Sequence, residues 1–337
     1  MKAPGKIQIT VWLLGLAGAA LFTFLLIHQG ASQVGMAFAA AGWAIAAIVA
    51  YHFIVPIFLD AVAWWALFPK SDRLPLGKLL WMRWIGESVS TLVPSAAVGG
   101  DIVRARLAAI NGAPLPVAAG SVLVDLTLGV FTQAVFTVLG LVLLVEVTGQ
   151  RNFVRPTLVG TLIGVVGVAG FYFVQRRGMF RFLALIVARL ANSAEWQSLV
   201  QSGETLDRTI RTLYARRGAV IMCCVWTIIS LVGGSGEIWI ALYALDLHAT
   251  FVNALILQSM VLTIRSAAFA VPGGLGVQEG GYLFVGNLLG IPGDAAFALS
   301  LIARVRELAL GIPGLISWQL IEARRLWRAR SAGERRK

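Results

Sequence analysis

Charge is what this chain has least of. Of its 337 residues 13% are charged, against roughly a quarter in an ordinary globular domain, so no soluble domain of useful size can be assembled from it. Histidine is sparse and scattered, as His28, His52 and His248, and the only cysteines, Cys223 and Cys224, are neighbours in an apolar run. That spacing excludes a disulfide framework and offers no metal-ligand set. The glycine-rich "GGLGVQEGG" lacks the lysine of a P-loop and the strand-turn-helix setting of a dinucleotide site. No Gly-x-Ser-x-Gly elbow occurs either. No cofactor and no catalytic signature of these kinds is expected, and the reading is of a protein that is not an enzyme.

What the chain has instead is apolar length. Hydrophobic residues make up 58% and the mean hydropathy is +0.81; about 20 consecutive apolar residues span a bilayer as a helix, and several such stretches follow one another. The expected fold is all-α and polytopic, with about six full crossings and two re-entrant helical hairpins in an inverted repeat. The net charge of +12 reads as cytoplasmic loops and contact with anionic lipid, with no nucleic acid as partner.

The run from Ile7 to Ile27 exceeds the roughly 7 to 15 residues of a cleaved signal core and reads as a retained first helix, followed by a second over about 38–68. Lys70, Arg73, Lys78 and Arg83 come next, so the positive-inside rule places this loop and both termini in the cytoplasm of a bacterial inner membrane. Residues 79–98 are too broken for a clean crossing and read as a re-entrant hairpin bent at Pro94. Crossings are expected at about Leu115–Val145, Thr157–Val174, Ala219–Leu245 and Ala295–Ile321, with a second hairpin over 250–290. Between them, 175–217 is arginine-rich, with Phe180, Leu183, Ile186, Val187 and Leu190 at helical spacing, as expected of a segment lying on the inner leaflet. Residues 1–321 thus read as a single integral membrane domain, and 322–337 as a basic cytoplasmic tail.

Two stretches share one spacing. "VPSAAVGGDIVRARLAAINGAP" has Pro94, Gly99, Gly100 and Asp101; "VPGGLGVQEGGYLF" has Pro272, Gly273, Gly274 and Glu279. Each acid lies seven residues after its proline, each proline is followed eighteen residues later by the start of a Gly-x-Pro (Gly112 to Pro114, Gly290 to Pro292), and Glu87 and Arg265 each stand seven before. Repeat units of about 78–146 and 250–321 follow. Inverted repeats with broken helices are the plan of alternating-access transporters, whose sites lie near the midplane; kinks or loops at helix ends are the plainer reading.

An ionised side chain in the bilayer costs roughly 2.5–3.5 kcal/mol on insertion scales, so it is kept for pairing or for function. The candidates are Asp125, Glu237, Arg265, Glu279, Arg304, Arg306 and Glu307; Arg304 and Glu307, three apart, can pair on one helix face. Asp101, Asp125, Arg265, Glu279 and Arg304 are expected to surround one polar cavity shared by both hairpins, with Asp60 and His52 as weaker members. Arg104 and Arg106 are expected to anchor the first hairpin at the inner leaflet, Arg104 also meeting a headgroup.

The motifs "STLVPSAAVGGDIVRARLAAINGAPLPVAAGSVLVD", "VPGGLGVQEGG" and the late "LIARVREL" resemble the integral membrane region of bacterial lysylphosphatidylglycerol synthases and the stand-alone flippase-like proteins related to it. The early "HFIVPIFLDAVAWWALFP" is most similar to the hopanoid-cluster-associated members. The resemblance implies movement of a hopanoid or anionic phospholipid between leaflets, and favours Asp101, Arg104, Asp125, Glu279 and Arg304 as functional positions. After Ile321 only the basic tail follows, so lysine transfer to lipid by this chain is not expected. The family's arginine after the third-crossing aspartate is Leu126 here, which puts the ion-pairing of Asp125 in question. Two other readings stay open: a membrane enzyme with Asp101 and Glu279 as acid and base, and a scaffold that recruits lipid-biosynthesis enzymes.

Overall fold

A computed structural model describes residues 42–93, 99–149, 154–177, 179, 196–247, 249–268 and 271–334. The expected first helix, the bend at Pro94 and the apolar set from Phe180 to Leu190 lie outside them. The described residues form ten helices: α1 (Ala44–Leu67), α2 (Leu76–Leu92), α3 (Gly99–Ile110), α4 (Leu115–Thr148), α5 (Val154–Arg176), α6 (Trp196–Ala215), α7 (Arg217–Ala244), α8 (Phe251–Ala267), α9 (Val277–Leu288) and α10 (Gly293–Glu334). Four stretches among them are long and apolar enough to cross a membrane: Ala44–Leu67, Leu115–Thr148, Leu158–Arg176 and Arg217–Ala244. Along α5, Leu162, Ile163 and Val166 are more than 60% exposed, which only a hydrocarbon environment makes favourable. The protein is an all-α, multi-pass membrane protein.

The last crossing falls outside that set because Arg304, Arg306 and Glu307 interrupt it. Its 42 residues are nevertheless about 60 Å of helix at 1.5 Å per residue. The helix continues past Ile321 to Glu334, so the described part of the expected basic tail is helical.

Both expected hairpins are present as pairs of packed helices, α2 with α3 and α8 with α9. Each return arm ends in the same way. Gly112 (φ 106°) and Gly290 (φ 75°) take left-handed backbone; the N–H of Ala113 donates to the carbonyl of Ala108 and that of Ile291 to Gly286, a Schellman closure in both. Pro114 and Pro292 then start the long helices α4 and α10, accepting from the N–H of Ala118 and Ala296, both at 2.9 Å. The Gly-x-Pro spacing is therefore one backbone device used twice.

Packing repeats the relationship. The entering arm α2 packs on α10, the long helix of the other unit, and α8 packs on α4. Both cross-contacts use small residues: a Cβ at Gly140 of α4 would overlap Ser259 of α8, and one at Gly314 of α10 would overlap Ser88 of α2. Close backbone approach of this kind is how helices adhere where lipid removes the hydrophobic drive.

Within the first hairpin the arms meet glycine to glycine. A Cβ at Gly100 would overlap the Gly86 carbonyl and the Ser90 hydroxyl, and one at Gly86 would overlap the Arg104 side chain. Gly100→Ala must therefore part the arms, at a cost of about 1–3 kcal/mol for overpacking. We expect it to lower the melting temperature of the purified protein in detergent by several degrees and displace Arg104; an unchanged melting curve would show that the arms are not held there.

The amphipathic segment differs from expectation in its described half. Ile210, Leu213 and Tyr214 of α6 are buried in the core with Ala118 and Val122 of α4, and Tyr214 donates to Gln175 of α5 at 2.9 Å. Its apolar stripe is covered by α4 and α5 rather than by the leaflet, because protein side chains offer the same stripe shape complementarity as well as apolar cover.

Candidate functional site

A cavity of about 380 Å³ lies between the first hairpin and helices α1, α4, α7 and α8. Its charged wall is built by α1 (His52, Asp60), α2 (Arg83, Glu87), α3 (Asp101, Arg104) and α4 (Asp125). The lining also includes apolar Leu126 and Val130 of α4, Leu231 of α7 and Leu262 of α8, and the amides of Gln133 and Gln258. Leu126 is 39% and Val130 43% exposed, so these two apolar wall residues, on a helix of membrane-crossing length, are only partly covered by protein. The site has a charged wall and an apolar mouth.

Helix geometry explains the charged wall. Arg83 and Glu87 are four apart on α2, and Asp101 and Arg104 three apart on α3, so each pair projects from one face. Asp101 also sits in the first turn of α3, where the helix dipole favours a carboxylate. In α1 a π-turn over Phe53–Ile57 contains Pro56, which has no N–H to continue the ladder; the Pro56 carbonyl itself accepts from the Ser230 hydroxyl at 3.1 Å. π-turns of this kind recur at functional sites, and this one directly follows His52.

Asp125 holds the wall together. Its Oδ2 accepts from Arg104 Nη1 at 2.8 Å and from Arg83 Nη1 at 3.0 Å. Arg104 Nη2 donates to Asp101 at 2.6 Å, and Arg83 Nη2 to Asp60 at 2.7 Å. Five charges from four helices thus form one chain, Asp60, Arg83, Asp125, Arg104, Asp101. Asp125 does not need the arginine that Leu126 replaces, because two guanidinium groups reach it from the hairpin.

A second cluster surrounds the other hairpin. Arg304 Nε donates to Glu279 at 2.8 Å, its Nη1 to the Gly273 carbonyl at 2.6 Å and its Nη2 to the Gly274 carbonyl at 3.0 Å. One planar fork ties α10 to the turn Pro272–Gly274, whose glycines have φ of 63° and 60°. Glu307 accepts from Arg304 at 3.0 Å and from Arg265, which also donates to Gln278 at 2.7 Å. The turn lies beside the first hairpin: a Cβ at Gly273 would stand 3.8 Å from the Thr91 carbonyl.

The two clusters are joined through His52. Its Nε2 contacts Glu87 at 2.9 Å and its Nδ1 contacts Glu237 of α7 at 2.8 Å, and Arg306 Nη1 lies against the ring and reaches both oxygens of Glu237, at 3.0 and 3.2 Å. The expectation of one cavity shared by all five named charges is corrected here. Asp101, Arg104 and Asp125 line the cavity; Arg265, Glu279 and Arg304 do not, because they are consumed in closing the second turn. Arg104 is also not an interfacial anchor: it is 3% exposed and stacks over Trp64 at 5.0 Å, whereas Arg106 faces outward.

Sequence reasoning gave Arg83 to a cytoplasmic loop, since the positive-inside rule counts a charge without knowing its face. The signal that finds it is Glu87 one turn on. No group of three or more His, Cys, Asp or Glu among the described residues could hold a metal ion.

A family model described as the lysylphosphatidylglycerol synthase TM region matches residues 12–314. No curated protein and no solved structure matches the chain. With all but the ends of the chain inside that match, the protein belongs to the family of the lysylphosphatidylglycerol synthase transmembrane region.

Proposed function

We propose that the protein moves a lipid between the leaflets of the bacterial inner membrane, with the headgroup in the charged cavity and the hydrophobic body at its apolar mouth. The observation that carries this reading is that Leu126 and Val130 line the charged cavity and stay exposed on a helix of membrane-crossing length. A water-soluble substrate needs no such opening; an amphiphile does.

The ion pairs suit the task. Paired charges in a low-dielectric wall are strong hydrogen-bonding groups, and a headgroup that inserts between Asp125 and its arginines exchanges one set of charge-assisted bonds for another. Four carboxylates against two guanidinium groups favour headgroups rich in hydroxyls or amines, as in a polyol-bearing hopanoid. The phosphate of a phospholipid meets Arg83 and Arg104 once Asp125 releases them.

The repeat supplies the motion. Among the described residues three membrane-length helices, α4, α5 and α7, separate the two hairpins; on this reading the second enters from the face opposite the first, with both chain ends cytoplasmic. Hairpins related in this way can rearrange in turn, opening the shared region to alternate sides. The exclusion of Arg265, Glu279 and Arg304 from the cavity then describes one such arrangement, with the second hairpin closed.

The test places a photoactivatable benzophenone residue at Gln258, inside the cavity, and at Val135, on the outer face of α4 and 46% exposed. We expect illumination in native membranes to capture lipid at both positions, and Val130→Trp to remove capture at 258 alone. Absence of lipid at 258 would contradict the proposal. A lipid recovered with altered headgroup from purified protein would instead favour a membrane enzyme using Asp101.

A further inference from the structure

The triad Glu87, His52, Glu237 stands apart from the chain of ion pairs that Asp125 ties together, although His52 and Glu87 also line the cavity. It is a histidine with a carboxylate at each ring nitrogen, at 2.9 and 2.8 Å. Each contact requires a hydrogen between nitrogen and oxygen. A neutral imidazole carries one N–H and ionised carboxylates carry none, so satisfying both carboxylates takes one proton more than a neutral histidine supplies; Arg306 Nη1, a donor against the same ring, is the partner that a bare ring nitrogen accepts from when that proton is absent. We propose that this triad is a proton-binding site open to the cavity, and that the lipid movement inferred above, on which this proposal rests, is coupled to proton movement.

The two carboxylates differ in access. The Glu87 side chain is 37% exposed and lines the large cavity, whereas that of Glu237 is 8% exposed and faces a small apolar pocket with Ile48, Tyr282 and Ile302. A proton leaves by passing from Nε2 to Oε1 of Glu87 and on to cavity water. The ring is then neutral and keeps its remaining hydrogen on Nδ1, still donated to Glu237. Return follows the same path reversed, and no other reactant is required.

The charged groups facing His52 come from every helix packed on it. Glu87 and, beyond it, Arg83 belong to α2, Glu237 to α7, and Arg306 to α10, while Asp60 follows on α1 and is held by Arg83. With the proton bound, His52 and Arg306 balance Glu87 and Glu237. Without it, one negative charge stands uncompensated in a low-dielectric interior, which the surrounding helices must accommodate by moving or by taking up a cation. Glu87 stands on the first hairpin, and Arg306 lies two residues from Arg304, which holds the turn of the second, and beside Glu307, which accepts from Arg304. One proton therefore changes the balance at both hairpins, which gives it a handle on which of them is closed. Histidine is the side chain suited to this exchange near neutral pH.

The experiment uses the full chain in liposomes of phosphatidylethanolamine and phosphatidylglycerol, with acyl-labelled phosphatidylethanolamine as the probe and an imposed pH gradient. We expect a gradient of one sign to speed exchange several-fold and the opposite sign to slow it, and His52→Gln and Glu87→Gln each to lose that dependence. Two substitutions are used so that misfolding of one leaves the other informative. Wild-type exchange at the same rate under every gradient would overturn the coupling and leave lipid movement standing; persistence of the gradient effect in either variant would overturn the assignment to the triad. No exchange under any gradient, with polyol and anionic probes run beside the phosphatidylethanolamine one, would overturn both the coupling and the lipid-transport reading.

Discussion

Replacing Asp125 with alanine is expected to have the largest effect of any single substitution in the cavity. The change removes the one acceptor shared by Arg83 and Arg104, and Arg104, 3% exposed, is left with Asp101 alone. Breaking a buried pair by deleting one partner costs about 3–5 kcal/mol, because the remaining charge stays desolvated. Lipid movement should be lost, and the melting temperature in detergent should fall more than for any substitution on the lipid face of α4. A second variant separates stability from function. Asp125→Leu combined with Arg104→Met replaces the pair with apolar groups of similar size, which is often close to neutral for stability; it should recover much of the thermal stability and none of the transport. Recovery of transport by that double variant would show that the charges serve folding only.

Arg304→Lys is expected to be nearly as damaging despite keeping the charge. The guanidinium donates in three directions, to Glu279 and to the carbonyls of Gly273 and Gly274, and an ammonium on a flexible stem cannot reproduce a planar fork. Glu279 is 0% exposed, so any loss of its partner leaves a fully buried carboxylate weakly paired. The turn Pro272–Gly274 should loosen, and the arms of the second hairpin should lose their fixed relation to α10. Hydrogen exchange measured across 271–280 would report this directly, with faster exchange in Arg304→Lys and unchanged exchange in a lipid-face substitution such as Leu308→Ala. Equal protection in both variants would mean that the turn is held by its own backbone.

The parts of the fold that were legible from sequence were those with local causes. Leu115–Thr148 and Arg217–Ala244 fall within a few residues of expectation because apolar length alone defines a crossing. The two Gly-x-Pro corners were legible because a left-handed glycine and a helix-starting proline are backbone requirements of those residues. Spacing also placed Asp101 and Glu279 alike, and both occupy the first turn of a return arm.

Pairing of charges was not legible, because partners forty or more residues apart leave no periodic trace. Asp125 finds Arg83, 42 residues away, and Arg306 finds Glu237, 69 residues away. His52 read only as a weaker member of the cavity because nothing in the apolar run around it names the acids on α2 and α7 that its ring meets. The second cluster was assigned to the cavity because sequence spacing makes the two hairpins equivalent, whereas the structure holds one open to a cavity and closes the other with Arg304.

The most direct measurement is leaflet exchange in liposomes containing the purified full chain, read as the fraction of an acyl-labelled lipid protected from a membrane-impermeant quencher. The predicted result is exchange faster than in protein-free liposomes, abolished by Asp125→Ala and by Val130→Trp, one removing the charge and the other blocking the mouth. The contradicting result is exchange at the protein-free rate with polyol, zwitterionic and anionic lipids alike, or exchange that both substitutions leave unchanged.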